Sequence, residues 1–310
     1  MGIRSKTVNG RQYYYLEETV RLEKPVVFSI YVGRKIPGKD ELEKKKQELQ
    51  DKIFNELLGG AARLYLTREQ LIEAEKKRRQ YEAKMKRRGK GARDEKEEID
   101  TVNFVYTTLS TEGVPVTMED AGLAYRFSQK NAKSVRDENL QVALDMINGV
   151  RFVKESAKGI SLEFIRKLHG IVMAEFKQKN PGVFRRKQAF IYLKSYEKAE
   201  EIGFRPPPPA EIEGKLAELV EWYNANLGKL DGLELAAILH LRFYRIHPFE
   251  DGNKRVSRLL FNKALFEAGY PLLNVSKETQ AYFDALINSV EKNDERPFIE
   301  FVYRKFIETI

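Results

Sequence analysis

The chain has 310 residues, of which 42% are hydrophobic and 33% charged, with a formal net charge of +9. That balance supports a globular fold with a real core and excludes a disordered chain. No apolar run reaches the ~18–20 residues that a membrane-spanning helix needs, so a spanning protein is excluded. Cysteine is absent, which removes disulfides, thiol nucleophiles and cysteine metal sites. The only histidines are His169, His240 and His247, too few for a multi-histidine metal centre. The N-terminal stretch turns polar at once and carries no secretory signal, so a cytoplasmic location without membrane attachment is expected.

In chain order, Asn9-Gly10 between two extended stretches predicts a β-hairpin with a type I′ turn. A further extended stretch, Val26 to Val32, ends at Gly33. Residues 39–58 show helical spacing of Leu42, Leu49, Ile53 and Leu57, and Gly59-Gly60 stops them. Thr67 and Gln70 have capping-box spacing and open a second helix. This helix runs into the basic segment 76–93, where ten basic residues face one acid, Glu82. Such a segment could hold phosphates of nucleic acid or lipid. No aromatic interleaves its later part, which favours a solvated helix followed by a mobile glycine loop. The stretch 88–100 is almost free of apolar residues and is taken as the boundary between a region 1–100 and a region 101–310.

The second region reads as mostly helical. Thr117 to Asp120 opens one helix, residues 137–155 form another, and Ser161 opens a third. Asn180-Pro181-Gly182 is a turn, and Val183 to Leu193 is basic and extended. Pro206 to Pro209 block helix before residues 210–227. Residues 232–246 and 254–268 are apolar helices, and 294–309 closes the chain. His240 and His169 read as structural, the latter near a helix end where a cation is tolerated; Trp222 reads as packing.

The chemistry concentrates in residues 247–258, His-Pro-Phe-Glu-Asp-Gly-Asn-Lys-Arg-Val-Ser-Arg. A residue before proline leaves the α region, so the preceding helix must end near His247. Gly252 is free to take φ > 0, and Asn253 can cap the next helix. Lys254, Arg255 and Arg258 place three cations at a helix start, against the dipole. A phosphate held there would answer both the cations and the free N–H groups. Asp251 offers a hard oxygen for Mg²⁺, and His247, with a near-neutral pKa, is the candidate general base. Together these residues describe a phosphate-transfer site.

This stretch resembles the signature of the Fic (filamentation induced by cAMP) family, H-P-F-x-[D/E]-G-N-x-R-x-x-R. The resemblance extends through Asn180 to Arg185, Ile191 and Phe204 to Pro207, and covers about residues 101–310. It implies a mostly α fold: a Fic-type helical bundle with a small β-hairpin flap, preceded by an accessory region with a hairpin and helices. It implies transfer of AMP from ATP to a Ser, Thr or Tyr hydroxyl of a protein. His247 would take the hydroxyl proton, Phe249 would anchor the loop, and Asp251 would bind Mg²⁺. Gly252 and Asn253 would cradle phosphate, Arg255 would hold the distal phosphates, and Arg258 would reach the γ-phosphate. The flap, beginning with Arg185, Arg186 and Lys187, would dock the target backbone.

Lys254 departs from the glycine usual in AMP-transferring members and matches the Doc branch, which resembles this family but transfers the γ-phosphate. Phosphotransfer, removal of AMP, and a non-catalytic nucleic-acid-binding protein are the alternatives. Partners implied are ATP and a protein substrate, with self-modification and a homodimer as further options.

Upstream, Thr108-Leu109-Ser110-Thr111-Glu112-Gly113 fits the family's inhibitory motif, [S/T]-x-x-x-E-[G/N], within a segment 104–121. Its β-branched residues suggest strand, whereas Gly113 and Pro115 suggest a helix ending at Glu112. In the helical case Glu112 lies at the negative end of the dipole and needs a cation. Arg258 is the expected partner.

Overall fold

The computed structural model describes residues 1–130, 134–194, 201–277 and 279–310. The chain divides into two compact units, Met1–Gly89 with Phe306–Ile310, and Lys90–Lys305.

The first unit opens with an antiparallel sheet in the order β1 (Gly2–Val8), β2 (Arg11–Arg21), β3 (Pro25–Gly33). Asn9 and Gly10 take φ 50° and 72°, the positive pair that a type I′ turn demands. Helix α1 (Lys39–Leu58) ends at Gly59 in the left-handed region. Leu49, Ile53 and Leu57 of α1 cover Leu16, Val20, Phe28 and Val32 of the sheet. Helix α2 (Arg68–Arg87) begins with a complete Thr67–Gln70 capping box. Its charge is partly answered within the helix: Arg78 and Arg79 both bond to the buried Glu75 carboxylate, and Lys86 meets Glu82 at 2.7 Å.

The second unit begins with α3 (Lys90–Ser110). The apolar-poor stretch expected to be a boundary loop is therefore helical from Lys90 onward. Lys, Arg, Glu and Ala are strong helix formers, and Lys96 reaches Asp100 one turn away at 2.5 Å. Helices α4 (Met118–Gln129), α5 (Glu138–Glu155) and α6 (Leu162–Val172) follow, with side-chain caps from Thr117, Asp137 and Ser161. Of the stretch expected to be extended, only β4 (Ile191–Lys194) is strand; it pairs antiparallel with β5 (Glu201–Phe204). Then come α7 (Ile212–Asn226), α8 (Gly232–Ile246), α9 (Asn253–Glu267), α10 (Thr279–Glu291) and α11 (Arg296–Thr309). Helix α10 was not anticipated from the sequence. Tyr282, Phe283, Leu286 and Ile287 form its buried stripe.

Almost every side chain of α8 is buried, including Glu234 and His240, as expected of a helix apolar all round. It packs along α9, while α5 lies against α4, α6 and α9. At Gly149 of α5 an added Cβ would stand 2.5 Å from Val172 and 3.0 Å from Leu259. This glycine lets three helices close on the segment that carries Arg255 and Arg258. Gly149→Val should therefore lower unfolding stability by about 1–3 kcal/mol through overpacking, measured by denaturant titration.

Candidate functional site

Helix α8 stops at His247, which takes φ 48°, an uncommon left-handed conformation for a residue with a Cβ. The loop that follows is braced from within. Phe249 is fully buried and stacks on His169, with ring centroids 3.6 Å apart and planes 5° from parallel. The Asn253 side chain reaches back to it, accepting from the Phe249 N–H at 3.0 Å and donating to its carbonyl at 2.9 Å. Gly252 has φ 73°, and a Cβ there would lie 2.6 Å from Met173 Sδ, so both torsion and space require glycine.

Two expectations for Asn253 change here. The N-cap position of α9 belongs to Gly252, and the Asn253 amide is committed to Phe249 rather than turned toward a phosphate. As the first residue of α9, Asn253 lies one turn past Phe249, whose backbone N–H and carbonyl are within reach of its amide.

His169 holds the same loop to α6. Its Nδ1 accepts from the Gly182 N–H at 2.7 Å, so the proton sits on Nε2, which donates to the Asp251 carbonyl at 3.0 Å. Burial pulls its pKa down to about 4. It is thus a neutral bridge, not the helix-end cation that its position in the sequence allowed.

Arg185 also departs from its expected role. It is only 4% exposed. Its Nε donates to the His247 carbonyl at 2.8 Å, its backbone N–H to the Pro248 carbonyl at 2.9 Å, and its guanidinium to the carbonyls of Lys187 and Pro207. A guanidinium consumed by three backbone carbonyls is a strut, not a docking surface. Arg186 and Lys187 are exposed beside it, on the segment leading to β4.

The His247 imidazole lies at the loop's mouth, and among the described residues its Nδ1 has no hydrogen-bond partner. Burial draws its pKa down to about 4, opposed by the Tyr244 carbonyl and reinforced by Arg185 and Lys254. The expected near-neutral value is therefore replaced by a lower one. The ring is neutral at pH 7 and free to accept a proton.

Glu112 reaches the site from α3. Gly113 takes φ 76°, its N–H bonds to the Ser110 carbonyl, and the Val114 N–H returns to Leu109 at 3.2 Å. That is a helix C-terminal closure, so the helical reading of the segment holds over the strand reading. The carboxylate accepts from Arg255 Nε at 2.9 Å and stands 3.7 Å from Arg258 Nη1. Its closest partner is thus Arg255, not the Arg258 expected from the sequence. Arg258, fully buried, instead donates to the Thr108 carbonyl at 3.0 Å and to Thr111 Oγ1 at 2.9 Å. Among the described residues its Nε and Nη2 have no hydrogen-bond acceptor, and Thr108 Oγ1 and Glu112 Oε1, the latter in ion-pair range of Arg258 Nη1, have no hydrogen-bond partner either.

Glu112, His247, Asp251, Gly252, Lys254 and Arg255 line one cavity of about 280 Å³. Phe176 closes one side, under the Arg255 guanidinium at 4.8 Å. The Lys254 ammonium lies 5.3 Å from the Phe283 ring centre, and burial lowers its pKa. Asp251 keeps its side chain 42% exposed. One accessible carboxylate beside an anion site suits Mg²⁺, which binds through one or two carboxylates plus substrate phosphates and water. Among the described residues no cluster of three or more His, Asp and Glu could hold a metal unaided. A larger cleft of about 480 Å³ beside Trp222 contains no imidazole, and its Arg242 is paired with Glu295 at 2.7 Å.

Sequence reasoning missed several members of this site. Phe176 and Tyr282, whose ring lies 5.1 Å from the Arg258 guanidinium and whose hydroxyl bonds to His240 Nε2 at 3.0 Å, carry no local signal. They come from elements distant in the chain.

A short polar loop thus lies between two buried helices, with guanidinium groups under it, in the same unit as the β4–β5 hairpin. Residues 159–265 match the sequence model of the Fic/DOC family. The protein adenylyltransferase fic-1 of Caenorhabditis briggsae is 28% identical over 205 residues, which are 64% of this chain and 38% of that protein. The protein adenylyltransferase Fic of Drosophila erecta is 27% identical over 203 residues, 64% of this chain and 39% of its own. The chain thus spans well under half the length of these relatives. Among solved structures, Fic-1 of Caenorhabditis elegans has a TM-score of 0.60 at 21% identity, covering 88% of this chain and 76% of its own. A Fic-domain-containing signalling protein from Bacteroides thetaiotaomicron has a TM-score of 0.60 at 23% identity, covering 77% and 93%. These structures establish the mostly helical Fic fold. Among the described residues no helix is long and apolar enough to cross a membrane.

The buried histidines make stability depend on pH. His169, His240 and His247 have folded pKa values of about 4, 3 and 4, against an ordinary 6.5. The unfolded chain therefore binds more protons than the folded one below about pH 6.5, and stability falls as pH drops from there toward 4. Asp145, raised to about 6 by burial, opposes this in part. The thermal midpoint should be lower at pH 5 than at pH 7, and His240→Gln, which cannot titrate, should flatten that difference.

Proposed function

We propose that the chain is a protein adenylyltransferase held in check by its own Glu112. The observation that carries this reading is the carboxylate's position: it sits in an anion site, between two buried guanidinium groups, one of which keeps two N–H groups unpartnered. A triphosphate would satisfy those donors better than one carboxylate does. The names of the curated relatives, protein adenylyltransferases, agree with the reading.

In the proposed reaction ATP binds with its phosphates at the start of α9. Arg255 and Arg258 turn from Glu112 to the distal phosphates; Asp251 would hold a Mg²⁺, whose contribution would be to neutralise charge on the triphosphate. The neutral His247 imidazole removes the proton from a Ser, Thr or Tyr hydroxyl. The hydroxyl oxygen forms a bond to the α-phosphorus, the bond from that phosphorus to the bridging oxygen breaks, and pyrophosphate departs. The bound anion also raises the His247 pKa from its low resting value, which strengthens the base when substrate is present. Exposed Arg186 and Lys187 and the edges of β4 and β5 are the proposed docking region for the target segment.

Removing one partner of a buried ion pair typically costs about 3–5 kcal/mol, so Glu112 exerts a strong hold. Glu112→Gly should raise self-labelling from α-labelled ATP by roughly tenfold or more, and His247→Ala in that background should abolish it. Label appearing only from γ-labelled ATP would assign phosphotransfer instead. No gain in the Glu112 variant would refute the brake.

A further inference from the structure

The sheet of the first unit is buried on one face only. Helix α1 covers the side bearing Leu16, Val20, Phe28 and Val32. Strand alternation places Arg4, Lys6, Arg11, Tyr13, Tyr15 and Tyr31 on the opposite side. Lys6 lies across from Tyr13, Arg4 from Tyr15, and Tyr15 from Tyr31. The three rings form one continuous patch. Tyr31, 48% exposed, stands centrally, 6.2 Å from Tyr13 and 5.6 Å from Tyr15. Cations flank both ends: Lys6 Nζ lies 4.8 Å from the Tyr15 ring centre, and the Arg34 guanidinium 5.9 Å from that of Tyr13.

We propose that this outer face binds single-stranded nucleic acid, with Tyr13, Tyr31 and Tyr15 as a platform for bases and Arg4, Lys6, Arg11 and Arg34 as phosphate contacts.

Three arguments carry the assignment. Tyr31 is 48% exposed and Tyr13 and Tyr15 are half-buried on the face that α1 leaves uncovered, so their rings offer accessible π-surface on which a base can stack. The face is also charge-selective. Four cations border the rings, and Glu17, already 3.3 Å from Lys6, is the one acid that the alternation places there. That combination of π-faces and cations complements a chain of bases joined by phosphates. Finally, the ring spacing of 5.6–6.2 Å exceeds the ~3.4 Å rise per nucleotide of a duplex strand. Bases seated on successive rings must be unstacked from one another, which an unpaired strand does readily and a duplex does not. The basic helix α2 is the weaker candidate, because Glu75 and Glu82 already engage Arg78, Arg79 and Lys86.

The test uses the full chain and a fluorescent oligothymidylate of about 12 nucleotides, within the ~4–16 that a sheet platform spans. Fluorescence anisotropy at about 50 mM salt should show binding, and the log–log salt dependence should have a slope no steeper than about −3, set by four phosphate contacts. Tyr31→Ala and Tyr13→Ala should each weaken binding roughly 5- to 100-fold, while Tyr31→Phe, which keeps the ring, should stay within about twofold. Circular dichroism of the exposed-face variants should match that of the unmodified chain. Absence of binding, equal or tighter binding of a duplex of the same length, displacement of the oligonucleotide by polyglutamate at equal charge, or full affinity in folded Tyr→Ala variants would each overturn the proposal. None of these readouts involves ATP, so the outcome is independent of the activity assigned to the Fic site.

Discussion

Glu112 and the two arginines beneath it are each badly placed alone. A carboxylate just past the end of α3 faces the negative pole of that helix, and Arg255 and Arg258 crowd the positive pole of α9. Brought together, the two misfits answer one another. The charges are also deeply buried, where an unpaired ion is far more costly than at the surface. The start of α9 is therefore never electrostatically neutral ground. It must hold an anion, either the chain's own carboxylate or one supplied from outside, and that exchange is the physical basis of the proposed control.

The loop ahead of α9 has to be stiff for such an exchange to matter. Its stiffness comes from contacts that carry no net charge on the loop itself. His169, kept neutral by burial, spans from the Gly182 N–H to the Asp251 carbonyl, and Arg185 locks the carbonyls of His247 and Pro248. Asn253 closes the turn on Phe249, whose ring stacks on His169. Four side chains that sequence patterns would assign to ligand binding or to general packing thus serve to fix the backbone. The groups left for chemistry are few: the His247 ring, the Asp251 carboxylate, and the cations that line or underlie the cavity.

The first unit follows a different logic. Its sheet gains its stability from one side, through the aliphatic contacts with α1, and leaves tyrosines and cations to water on the other. The second unit hides its charges and uses desolvation, whereas the sheet displays its charges and uses accessible area. The ligands proposed for the two surfaces differ accordingly: a compact anion in one case, an extended polymer in the other.

Much of the local structure was legible in the sequence because its causes are local. Asn9-Gly10 forces a hairpin, Thr67 and Thr117 announce helix starts, Pro248 ends α8, and Gly252 turns the loop. The spacing of His247, Asp251, Arg255 and Arg258 likewise placed the candidate site on one turn of chain. What the sequence could not settle were choices made across long separations. Whether Glu112 meets Arg255 or Arg258 depends on how α3 docks against α9, some 143 residues away. Whether Arg185 faces a target or the backbone of the loop depends on burial, and so does the charge of each histidine. Desolvation and packing are properties of the assembled core, and no residue's neighbours in sequence report them.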